Sequence, residues 1–123
     1  MQYMLLIYDA EDAWTSMSEE DQRTVMGEYT AYTEALKSSG KYVAGDALQP
    51  ASTAKSVRMR DGELDQTDGP FAETKEVLGG YYLVDVDSED EALEWAAKIP
   101  SARLGTIEVR AIQPVPAGAE SYA

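Results

Sequence analysis

Tyr3-Met4-Leu5-Leu6-Ile7-Tyr8 is six apolar residues in unbroken succession, the pattern of a β-strand covered on both faces. A second stretch behaves the same way. Beyond Gly79-Gly80, Tyr81 and Leu83 fall on one face while Tyr82, Val84 and Val86 fall on the other, so the strand predicted over Val77–Val86 is also apolar on both sides. The glycine pair inside it predicts a bulge or a close backbone approach.

Helices are predicted after each of these strands. Past an acidic loop from Asp9 to Met17, Ser18 is placed as an N-cap, with Glu19, Glu20 and Asp21 in the first turn, where the helix dipole favours negative charge. Val25, Tyr29, Tyr32 and Leu36 then form one apolar stripe, and Gly40 suits the residue that ends such a helix. Downstream, Ser88 and Glu91 make a capping box for a second helix carrying Leu93, Trp95, Ala96 and Ile99, which stops before Pro100.

Between these units lie a strand over Lys41–Leu48, closed by Gln49-Pro50, and an alternating segment from Thr53 to Arg60. Asp61-Gly62 is a two-residue hairpin signal, with Glu63–Gln66 returning. Thr106–Ile112 is the last strand, and a Pro- and Ala-rich tail from Pro114 to Ala123 is expected to fray. The order β-α-β-(hairpin)-β-α-β is an α+β class, the ferredoxin-like split βαβ plan with an inserted β-hairpin, as one domain over residues 1–113. Two helices cover one face of such a sheet. The apolar second face therefore predicts a homodimer packed sheet to sheet.

Composition removes many functions. The 123 residues include no cysteine and no histidine, which excludes disulfides, thiolate chemistry, Ser-His-Asp catalysis and imidazole metal sites. Lys and Arg total 10 against 23 Asp and Glu, for a net charge of −13. Such a surface disfavours nucleic acid and anionic membranes. With no signal-like start and no apolar run near membrane length, a cytoplasmic location is expected.

The segment Asp68-Gly69-Pro70-Phe71-Ala72-Glu73-Thr74-Lys75-Glu76 concentrates charge beside a turn. Gly69 suits a positive φ and Pro70 restricts it. Asp68 is the candidate working carboxylate: it either caps the turn amides or acts as a general base at a cleft. Phe71, the chain's only phenylalanine, is read as a plug under the turn or a pocket wall. Glu73 and Lys75 belong to the same charged run, as a salt-bridged surface or as ligand contacts. Arg58, Arg60 and Arg110 lie on polar strand faces, paired with nearby carboxylates or able to grip an acidic metabolite. The candidate ligand set is therefore Asp68, Gly69, Pro70, Phe71, Glu73, Lys75, Arg58 and Arg110. No cofactor or metal is expected, since Asp68, Glu73 and Glu76 match no defined ligand spacing.

The stretch Asp68–Tyr82 (DGPFAETKEVLGGYY), together with MQYMLLIY, GDALQP, TAKSVRMRDGE and DEALEWAAKIPSARLGTIEVR, resembles the DGPF-domain proteins of the YCII-related family. The resemblance runs from Met1 to about Pro114. It implies a ferredoxin-like fold dimerising into an α+β barrel, in a bacterial protein. Some members carry a His–Asp pair suspected of catalysis, which a chain without histidine cannot reproduce. Similar proteins are encoded beside extracytoplasmic-function sigma factors. The resemblance therefore implies a small-molecule-binding or regulatory module with a sigma-factor-linked partner. An enzyme using Asp68 and a ligand-free structural dimer are the alternatives.

Overall fold

The computed structural model describes residues 1–116. Its elements are β1 (Gln2–Ala10), α1 (Glu19–Ser38), β2 (Tyr42–Ala47), β3 (Lys55–Arg60), β4 (Glu63–Asp68), β5 (Glu76–Asp85), α2 (Glu89–Ala97) and β6 (Thr106–Ala111), with 3₁₀ turns at Ala51–Thr53 and Pro100–Arg103. Four strands make an antiparallel sheet in the order β2-β5-β1-β6, and β3 and β4 form a separate two-stranded ribbon. Each of the crossovers β1-α1-β2 and β5-α2-β6 skips the strand between its ends, so this is the α+β split βαβ arrangement expected. Of the tail expected to fray, Pro114 to Pro116 carry no regular element and residues 117–123 lie outside the described residues.

Local chemistry explains the boundaries. The Ser18 side chain accepts a hydrogen bond from the Asp21 amide at 3.1 Å, satisfying one of the free amides at the start of α1. Gly40 ends that helix with a φ of 78°. Ser88 likewise accepts from the Glu91 amide at 3.2 Å. The reciprocal half of the box gives way to an ion pair, because the Glu91 carboxylate lies 3.3 Å from Lys41 Nζ. α2 ends at Ala97, two residues before the expected limit, since a residue preceding proline is pushed out of helical geometry. In the ribbon, Asp61 and Gly62 both have positive φ, 50° and 78°, as a type I′ turn requires. β4 extends two residues beyond Gln66 because Asp68 pairs in register with Lys55.

The core lies between the helices and one face of the sheet. Tyr3, Leu5 and Ile7 of β1, Tyr82 and Val84 of β5, and Val86 pack against Tyr32 and Leu36 of α1 and Ala92 and Ala96 of α2. Tyr32 anchors this layer through edge-to-face contacts with Tyr82 and Trp95 and a 2.9 Å hydrogen bond to the Trp95 carbonyl. On the opposite face Met4, Leu6, Tyr8, Tyr81 and Leu83 are half-buried. Gly79 is the extra residue in β5, where the register jumps from Ile7↔Gly80 to Tyr8↔Leu78. The bulge thus falls at the glycine pair. Gly80 itself allows a close approach, since an added Cβ would stand 2.9 Å from the Asp46 carbonyl oxygen of β2.

Candidate functional site

Alternation along β1 sends Tyr3, Leu5 and Ile7 toward the helices, and the next residue in that series is Asp9. A carboxylate is thereby carried onto the helix-facing side, where the strand runs out into the acidic loop. Asp9 borders a cavity of about 610 Å³, within the usual range for small-molecule sites. Its sides are Val25, Met26, Tyr29 and Thr33 of α1, Tyr42 and Gly45 of β2, and Leu78–Tyr82 of β5. Trp14 and Met17 from the loop, with Leu48–Ala51 beyond β2, complete it. The Gln22 side chain holds the loop against α1 by donating to the Trp14 carbonyl at 2.9 Å.

Two hydroxyl pairs order the interior. Tyr29 and Ser101 share a hydrogen bond of 2.6 Å, and Thr33 and Tyr82 share one of 2.7 Å. Burial pushes the Tyr29 and Tyr82 phenols above their ordinary pKa, so both stay protonated and serve as hydrogen-bond groups rather than bases. Gly45 gives the Tyr82 ring its room, since a Cβ there would lie 2.8 Å from Cδ1.

Asp9 is the least compensated group. Its Oδ1 is buried and has no hydrogen-bond partner among the described residues. Burial raises the carboxyl's pKa above the ordinary 3.8, the Ser101 hydroxyl opposes that shift, and the charge of Glu76 adds to it. Gly105 packs directly on this carboxylate: a Cβ there would collide with Asp9 and with the Tyr8 carbonyl.

The raised pKa has a consequence for stability. The folded chain binds this proton more tightly than the unfolded chain, so the contribution of Asp9 is greatest below its unfolded pKa and declines as pH climbs through the folded value. Asp9→Asn, neutral throughout, is expected to gain on the parent protein between about pH 3 and about pH 7. Urea midpoints of both proteins across that range check this, and a difference that does not vary with pH would contradict it.

The residues singled out in the sequence lie elsewhere. Asp68 ends β4 with its side chain 85% exposed, and it binds Lys55 Nζ at 2.6 Å. Within one chain it therefore sits on the surface, not at the mouth of a cleft. Gly69 has the expected positive φ, 95°; its amide donates to the Ala54 carbonyl at 2.7 Å, and its own carbonyl accepts from Ser56 at 2.9 Å. The turn is thus tied to the base of the ribbon. Phe71 is 81% exposed, neither a plug nor a wall of the cavity. Pro70, Glu73 and Lys75 are exposed in the same loop.

Arg58 and Arg60 stand on the ribbon opposite Asp65 and Glu63. Arg110 is on β6, at the other edge of the main sheet, and binds Glu108 at 2.7 Å. The arginines expected to grip an acidic ligand do not converge with the DGPF turn. Among the described residues no cluster of three or more carboxylates is placed to hold a metal, and no helix is long and apolar enough to cross a membrane.

The sequence does carry one signal for the real cavity wall, the position of Asp9 in the inward series of β1. Its partners could not be read the same way. Tyr29, Ser101 and Gly105 come from separate elements, and only tertiary contacts bring them to Asp9.

Comparison with known proteins adds two findings. A family model described as the YCII-related domain matches residues 1–116. A protein of Rhizobium meliloti (strain 1021), described as uncharacterized, is 38% identical over 112 residues, spanning 89% of this chain and 90% of its own.

Proposed function

The chain belongs to the YCII-related family, and from that premise we propose that it is a small-molecule-binding module whose site is the cavity between α1 and the β2–β5 edge of the sheet. The observation that carries this reading is Asp9. A carboxylate with a buried, unpartnered oxygen beside a largely apolar cavity is costly to the fold, and such groups are commonest where a ligand or substrate completes the bonding. The alternative centred on Asp68 lacks this feature, because that side chain is solvated and already paired.

Trp14 provides the test, since it borders the cavity and the chain has only two tryptophans. In a Trp95→Phe background, Trp14 emission should change saturably when small aromatic compounds are added, and the melting temperature should rise with occupancy. Cavity-lining Tyr82→Ala should weaken both responses, while Asp68→Asn should leave them intact. Responses lost in Asp68→Asn and kept in Tyr82→Ala would move the site to the DGPF turn.

The module is proposed to act as a homodimer. In the ribbon Val57, Met59 and Leu64 are 57–61% exposed. Val57 and Met59 share a face by alternation, and Leu64 lies opposite Met59 in register. Together with the half-buried second face of the sheet, this stripe is the apolar surface that a second copy would cover.

A further inference from the structure

The charge around the cavity is one-sided. Its ionisable carboxylates are Asp9, Glu11 and Asp46, and neither lysine nor arginine lines it. The chain as a whole is at −13, so the surrounding potential also attracts cations and repels anions. The remaining wall is largely apolar and includes Trp14, Tyr29 and Tyr82, whose ring faces favour a positive charge. Each hydroxyl pair, Tyr29–Ser101 and Thr33–Tyr82, uses one of its two protons for its internal bond and keeps one donor and acceptor lone pairs for other partners.

We infer that the ligand is an organic cation, a protonated amine with an apolar, aromatic-sized body, whose ammonium is received by Asp9 while the rings of the cavity enclose its body. This inference rests on the proposed cavity site and names its ligand class. An anionic metabolite, by contrast, would enter without a single cationic partner. A neutral compound would fill the volume but leave Asp9 uncompensated. The ammonium does both, since it adds donors and a positive charge beside a carboxylate with one unpartnered oxygen and favours its ionised form. Lys37 already lies 4.9 Å over the Tyr42 ring, which shows one aromatic residue of this wall facing a cation from the protein itself.

Three probes of one shape and different charge test the inference: 2-phenylethylamine, 2-phenylethanol and 3-phenylpropionate, titrated by calorimetry into the full chain at neutral pH. The amine should bind at least about tenfold more tightly than the alcohol, and the acid least of all. In Asp9→Asn the preference for amine over alcohol should shrink to about twofold or less while the alcohol still binds, which shows the cavity intact. Should the alcohol or the acid bind as well as the amine, the cation assignment is overturned and the cavity reading survives. An amine preference that persists undiminished in Asp9→Asn likewise overturns the role given to Asp9. If none of the three binds at millimolar concentration, the cavity reading itself fails, and the ligand class with it.

Discussion

Gly105→Ala is expected to destabilise the fold by roughly 3 kcal/mol, far more than one methyl group usually costs on a surface. The reason is what the added carbon meets. It would collide with the Tyr8 carbonyl and with the Asp9 carboxylate, and a backbone carbonyl inside a strand ladder cannot step aside without breaking its neighbours' bonds. Tyr8 is held in register by Thr106 on one side and Leu78 on the other, so the strain spreads through β1, β5 and β6. The variant should also lose ligand binding in the cavity, because Asp9 is displaced along with the strand end.

Gly27→Ala is the matched control. Gly27 lies inside α1 with nothing within 4 Å of its would-be Cβ, so the same substitution should stabilise by about 0.5–1 kcal/mol. Urea unfolding of the two variants reads both effects. Equal and small changes would show that β6 does not approach β1 as closely as described.

Light scattering on the purified protein is expected to give twice the 13.5 kDa of a single chain, and Leu83→Arg should bring it down to one chain without unfolding it. Leu83 sits on the half-buried second face of the sheet, opposite Met4 of β1. A guanidinium there remains solvated in a monomer, but in a sheet-to-sheet dimer it would be buried without a partner, at a cost of several kcal/mol. Far-ultraviolet circular dichroism establishes that the variant is folded. A parent protein that is monomeric at micromolar concentration would remove the dimer. A Leu83→Arg variant that remains dimeric would transfer the interface to the ribbon, where Val57, Met59 and Leu64 are exposed.

Asp68 and Asp9 illustrate why a motif and a site can separate. Around Asp68 the chain packs turn residues and charge into nine consecutive positions, which makes the segment conspicuous in one dimension. In three dimensions Asp68 and the side chains from Pro70 to Lys75 are exposed, and the turn's specific features are spent locally: Gly69 provides the left-handed conformation and two hydrogen bonds bind it to the ribbon. Asp9 is inconspicuous in sequence, one acid in a loop-bound acidic run. It becomes singular only because Ser101, Tyr29 and Gly105, from 20 to 96 residues away by number, close around it.

The sequence by itself determined the elements and their order. Unbroken apolar strands, an apolar stripe at helical spacing, serine caps, Asp-Gly at a tight turn and glycine at a bulge all act within a few residues of backbone, so their consequences are local and legible. The same periodicity implied a sheet with more apolar surface than two helices can cover. Only the tertiary structure decided where the cavity lies and which carboxylate it isolates. A pKa, an unpartnered oxygen and the room left by a missing Cβ depend on distances between residues far apart in the chain. Such distances exist only once the strands have paired and the helices have closed over them.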